Sequence, residues 1–285
     1  MLTADQHAFL ENATALLSGI RGVAAVVLGG SHARGTAGPD SDIDIAIYYH
    51  AASPPEIDAI RQVAAVLSGN PDQQVTGFYE WGRWVNGGGW LATPIGKVDI
   101  LYREIDKVRE TIANAHAGKV EQDYLQQPAF GFYSISYLEE TGCCIPLYDP
   151  DHIIAELKTL VDTYPAPLRT AVINDHLWLA EFTLQWAAGF VTRGGIYGAA
   201  GCFSRVGASL IQVLYAKNER YFLSDKAVRL DFPSFAKQPA DFMDRLADVF
   251  GCAGRDQQSL QDSLGRLTAL WREVRIICSQ LSICD

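Results

Sequence analysis

The chain runs through two hydrophobic rhythms, and the change between them divides it. In the first half, short apolar runs bounded by glycines and polar turns read as strands. "VAAVVLGG" (23–30) is one such run. "SDIDIAIYY" (41–49) alternates, with Ile43, Ile45 and Ile47 on one face and Asp42 and Asp44 on the other. "QVTGFYEW" and "GWLATP" flank "GRWVNGGG" and predict a hairpin around a glycine-rich turn, and "GKVDILYRE" (96–104) is a further strand. The N-terminal "MLTADQHAFLENATALL" reads as an amphipathic helix. So does 54–70, which starts with prolines and ends in Ser-Gly-Asn, and "REIDKVRETIANAHAG", closed by Gly118.

Past the turn-rich "CCIPLYDPDH" (143–152) the patterns become helical, at about 151–163, 167–193, 198–217, 239–250 and 256–282. The stretch 221–239 reads as an irregular connection. The rhythm therefore predicts a sheet-bearing domain over 1–150 and a helical domain over 151–285.

Composition narrows the class. Of 285 residues 48% are hydrophobic and 20% charged, an ordinary globular balance. No apolar run approaches the roughly 18 residues of a membrane helix. The acidic N-terminus does not read as a secretory signal, so a cytoplasmic location is expected. Six cysteines, at 143, 144, 202, 252, 278 and 284, form no CxxC pair and predict reduced thiols. The net charge of −10, with no Lys/Arg run, argues against a nucleic-acid partner and favours neutral or cationic small substrates. Oligomeric state is left open.

The chemistry concentrates in "LGGSHARGTAGPDSDIDIAIYY" (28–49). Its glycines have the spacing of a phosphate-binding loop, yet Thr36 stands where such a loop carries lysine. Two residues apart on a strand, Asp42 and Asp44 project side by side, about 7 Å apart at Cα. Carboxylates brought to 4 Å repel by about 4 kcal/mol at an effective dielectric near 20, and a divalent cation reverses the sign. Few hard oxygen ligands describe Mg²⁺ better than Zn²⁺. Asp99, between Val98 and Ile100, offers a third carboxylate from another strand, and three such acids suit two-metal phosphoryl or nucleotidyl transfer. Gly29 and Gly30, entering a short helix at Ser31, present backbone N–H groups to an anion, and the Ser31 hydroxyl can donate as well. Arg34 either contacts phosphate or braces the carboxylate strand.

These residues, "GGSHARG", "SDID" and "VDIL", resemble the nucleotidyltransferase superfamily of DNA polymerase beta. The resemblance is specific over 28–48 and extends to about residue 105. It implies an α+β fold: an N-terminal nucleotidyltransferase domain with a mixed β-sheet flanked by helices, then a C-terminal helical bundle. It further implies two Mg²⁺ ions on Asp42, Asp44 and Asp99, with ATP as nucleotide donor. Gly29, Gly30, Ser31, Arg34 and Ser41 form the nucleotide-binding signature.

The helical second half looks like the small-molecule branch, which includes aminoglycoside and lincosamide nucleotidyltransferases. There Lys226 is a candidate triphosphate contact, or a solvated loop lysine. The general base is left among Asp175, Glu181, Glu80 and Asp99. Trp81, Trp84 and Trp90 are either an aromatic wall for substrate or core packing, and His32 is expected to be exposed. The implied activity is NMP transfer to a hydroxyl of a small acceptor, an aminoglycoside-like antibiotic foremost. The rivals are a toxin-type enzyme modifying protein or tRNA and a non-catalytic nucleotide-binding regulator.

Overall fold

The computed structural model describes residues 2–279. They separate into two compact units. One comprises the chain up to Asn114 with Gln122–Gln126 and Ser134–Thr163. The other comprises Ala115–Glu121, Gln127–Tyr133 and the chain from Tyr164 onward.

The first unit begins with α1 (Ala4–Ser18). A capping box starts it: the Gln6 amide donates to the Thr3 hydroxyl oxygen, and the Thr3 amide donates to the Gln6 side chain. Then follow β1 (Val23–Leu28), the short α2 (Gly30–Arg34), β2 (Ile43–Tyr49), α3 (Ile57–Ser68), β3 (Gly88–Thr93), β4 (Gly96–Glu104) and α4 (Ile105–His116), the last two residues of which are counted in the other unit. The unit closes with α5 (Ser136–Cys143), β5 (Ile145–Tyr148) and α6 (Ile153–Val161). The five strands form one sheet in the order β3-β4-β2-β1-β5. Only β2 and β4 run parallel; the other pairs are antiparallel, so the sheet is mixed. The fold is α+β, as the resemblance implied.

Alternation along the strands sorts the two sheet faces. Ile43, Ile45, Ile47, Val98, Ile100 and Tyr102 lie in one buried apolar cluster, together with Leu17 of α1 and Ile60 of α3. Asp44 and Asp99 alternate with these residues and so face the other side.

One predicted hairpin differs. "QVTGFYEW" holds no strand; "GWLATP" pairs instead with "GKVDILYRE", Thr93 opposite Gly96. Residues 76–88 close on themselves. The Thr76 amide donates to the Gly88 carbonyl (2.8 Å), Trp81 to the Asn86 carbonyl (2.9 Å) and Tyr79 to the Asn86 side chain (2.8 Å). Backbone groups spent in a turn cannot serve a ladder. The turn-rich 143–152 also holds β5, which adds an edge strand against β1.

The second unit contains α7 (Ala166–Thr192), α8 (Ile196–Lys217), α9 (Asp225–Asp231), α10 (Phe242–Gly251) and α11 (Gln257–Ser279). Helix α9 lies in the stretch expected to be irregular. Positions 280–282 of the last predicted helix fall outside the described residues. Helix α7 packs on α8 and α11. Tyr215, Phe232 and Phe242 are fully buried in this unit, and the Tyr215 hydroxyl donates to Asp231 at 2.7 Å.

All five described cysteines are free thiols. Burial is the first cause that pushes Cys143 up to about 12 and Cys144 up to about 11, so neither is a thiolate nucleophile at neutral pH. Among the described residues no helix is long and apolar enough to cross a membrane.

Candidate active site

The site begins where β1 ends. The Gly29 amide donates to the Asp44 carbonyl at 2.8 Å, which carries the β1–β2 pairing into the glycine turn. Gly30 then takes φ +57°, and α2 ends in a left-handed Gly35 at φ +71°. The Thr36 amide returns to the Ser31 carbonyl (3.0 Å) and the Gly35 amide to the His32 carbonyl (3.4 Å), a glycine-closed helix end. Ser41 ties the following loop: its hydroxyl oxygen accepts the Gly38 amide at 2.9 Å, and its own amide donates to the Gly38 carbonyl at 3.2 Å.

Gly30 has a second reason to be glycine. A Cβ built there would lie 1.7 Å from Asp44 Oδ2, so the carboxylate occupies the space a side chain would need. Gly30→Ala is expected to destabilise the protein by about 1–3 kcal/mol, from left-handed strain and the displaced carboxylate. Urea unfolding checks this; a variant as stable as wild type would mean that the carboxylate is not held there.

Asp44 and Asp99 are direct partners in the parallel β2–β4 register. Asp42 precedes the first residue of β2 and is half-buried. Asp44 is pushed up to about 6, first by burial, then by the charges of Asp99, Glu140 and Asp42, against a lowering by Arg103. Two of the acids expected to share metal ions therefore already repel the third. Among the described residues, however, no group of three His, Cys, Asp or Glu is close enough to form a ready-made metal centre. The donor chemistry, all carboxylate oxygens on one side of neighbouring strands, fits a hard divalent ion.

The remaining signature residues divide by unit. Arg34 Nε lies 3.3 Å from Glu139 Oε1 of α5, so the arginine ties the glycine turn to α5. His32, expected to be exposed, is half-buried, with its Nε2 shielded from solvent. Glu80 lies exposed in the turn ahead of β3. Lys226 is exposed near the start of α9, and Asp175 and Glu181 are exposed on α7, all three in the second unit.

The three tryptophans part company. Trp84 is buried, edge-on to Tyr137 at 5.9 Å. Trp90 is 67% exposed and stands opposite Asp99 in the β3–β4 ladder, on the carboxylate side of the sheet. Trp81 stacks on it at 4.5 Å and 18°. A row of Gly29, Asp44, Asp99 and Trp90 thus crosses four adjacent strand paths.

Sequence reasoning missed what lies behind this row. Arg103, two strand steps past Leu101 and four residues after Asp99, shares the carboxylate face but is buried. It donates to both Glu140 oxygens (2.8 and 3.0 Å) and to the Tyr102 and Val85 carbonyls. Its parity with Asp99 was a usable signal. Nothing in the sequence pointed to Glu139 or Glu140, which arrive from α5.

Residues 13–128 match the family model described as Nucleotidyltransferase domain. No match is found among the curated proteins. Among solved structures, a nucleotidyltransferase-like protein from Exiguobacterium sibiricum is 11% identical. The match covers 95% of this chain and 77% of that one, with a TM-score of 0.47. The family match alone carries weight: residues 13–128, under half of the chain, are similar to the nucleotidyltransferase domain.

Proposed function

We propose that the protein transfers AMP from ATP to a hydroxyl of a small-molecule acceptor, with an aminoglycoside-like antibiotic foremost. The observation that carries the reading is the adjacency of the Gly29–Gly30 turn, Asp44 and Asp99 on neighbouring strands of a nucleotidyltransferase domain. In this reading the acceptor oxygen bonds to the α-phosphorus, the bond to the β-phosphate bridge breaks, and pyrophosphate leaves. Gly30 lets phosphate approach the backbone closely, and Ser31 donates its hydroxyl to a phosphate oxygen. Asp99 is our candidate to take the acceptor proton, because it lies on the far side of Asp44 from the glycine turn. Two Mg²⁺ ions, held by Asp42, Asp44 and Asp99, would neutralise phosphate charge and lower the pKa of the acceptor hydroxyl when bound.

The stack of open Trp90 on half-buried Trp81 beside Asp99 is assigned to the acceptor's ring, since the C–H face of a sugar ring packs on an indole. Lys226 as a triphosphate contact rests on the resemblance alone. The test incubates the protein with ATP labelled at the α-phosphate, Mg²⁺, a panel of hydroxyl-bearing antibiotics and a cell lysate. A labelled antibiotic supports the proposal. Label only in a protein or tRNA band overturns the acceptor, and no labelled product at all overturns the transfer.

A further inference from the structure

Helix α7 carries two apolar faces. One, with Val172, Ala180, Leu184, Ala187 and Val191, is buried within the helical unit. The other is a ladder of aromatics at four-residue spacing: Trp178, Phe182 and Trp186 are 64%, 44% and 58% exposed. Four-residue spacing stacks side chains along one helix face. Trp178 and Phe182 lie parallel, 5.3 Å apart, and Phe182 and Trp186 lie 6.2 Å apart. At about 200 Å² per large aromatic, the three rings leave on the order of 300 Å² open, a patch size that marks interaction sites on soluble proteins.

The ladder reads the same in both directions about Phe182. Laid antiparallel across a two-fold axis at that residue, a second α7 sets Phe182 against Phe182 and Trp178 against Trp186. Asp175 of one copy then falls level with Gly189 of the other. Arg193 folds back to that level: its Nη2 lies 3.4 Å from where a Cβ on Gly189 would be, and its Cζ 5.8 Å from the centre of the Phe190 ring. Each Asp175 carboxylate thereby meets an Arg193 guanidinium, and the two-fold repeats the pair. Self-complementarity about one point is what a two-fold interface requires and what a foreign partner does not.

We propose that this face of α7 is a homodimer interface, with two copies of the chain packed through antiparallel α7 helices. The inference stands apart from nucleotidyl transfer, since it uses no residue of the carboxylate row. The rings cover somewhat under half of the ~800 Å² per partner usual for a stable pair, so neighbouring side chains on α7 complete it.

The test is sedimentation velocity of the full chain over a concentration series. Wild type is expected to sediment as a dimer. Phe182→Glu is expected to weaken association on the order of a hundredfold, because it buries two facing carboxylates at the axis. Asp175→Arg and Arg193→Asp should each weaken it about tenfold. The double variant should restore the dimer. Positions 175 and 193 are eighteen residues apart on one helix, about 27 Å, so a rescue can come only from a second copy. A wild type that stays monomeric, a dimer indifferent to Phe182→Glu, or a double variant no better than the singles overturns the interface. Circular dichroism confirms that each variant is folded before its association is read.

Discussion

Asp44→Asn is expected to abolish the proposed AMP transfer, lowering its rate by about a thousandfold or more, while making the metal-free protein more stable at neutral pH. Both effects have one cause. Burial and the charges of Asp99, Glu140 and Asp42 raise Asp44 from 3.8 to about 6, so the fold holds its proton more tightly than the unfolded chain does. Such a group stabilises the fold fully below the unfolded value of 3.8. The contribution is lost as pH rises through about 6, where the ionised carboxylate repels its neighbours. The shift corresponds to about 3 kcal/mol. Urea unfolding of both proteins in EDTA, at pH 5 and pH 7.5, should show the variant's advantage growing with pH. Added Mg²⁺ should stabilise wild type and not the variant. If the stability gap is the same at both pH values, the charge cluster is not the source of the shift. Should transfer survive in the variant, Asp44 has no part in catalysis.

Glu140→Ala is expected to cost about 2–3 kcal/mol of stability, the second large effect. Arg103 is buried, and burial works against its charge, yet Glu140 and the neighbouring tyrosines raise its pKa above the ordinary arginine value. Removing Glu140 leaves a buried guanidinium without its carboxylate, which is costly, and the partial exposure of Glu140 discounts the full buried-pair figure. The variant should also shift Asp44. Glu140 raises that carboxyl and Arg103 lowers it, so without Glu140 the pH window of the Asp44 effect moves downward. Arg103→Met should move it upward. The measurement is the pH dependence of unfolding in each background, with Asp44→Asn as reference. Shifts of the same sign in both variants would show that the pair does not act on Asp44 through charge.

How much of this was legible before the fold was known differs by residue. Asp42 and Asp44 announced themselves by strand alternation, because side-chain direction in a strand depends only on parity. The glycine turn was legible for a related reason: Gly30 and Gly35 take left-handed conformations that few other residues tolerate. Helices α7, α8, α10 and α11 were placed within a few residues, since 3.6-residue periodicity is also local, whereas the short α9 was read as irregular. The hairpin around 82–89 was misread. Which strand "GWLATP" joins depends on where residues 76–88 spend their backbone hydrogen bonds, and that is a matter of closure, not composition.

The sequence by itself determined the α+β class, the glycine turn and the face on which Asp44 stands, because each follows from local pattern and backbone geometry; the nucleotidyltransferase signature it offered as a resemblance. Only the tertiary structure decided that Asp99 lies directly beside Asp44 and that Arg34 and Arg103 lean on Glu139 and Glu140. It also decided that Trp90 is open while Trp84 is buried. Those are contacts between segments tens of residues apart, and their energies depend on burial and charge proximity, which arise only when distant strands and helices close on one another.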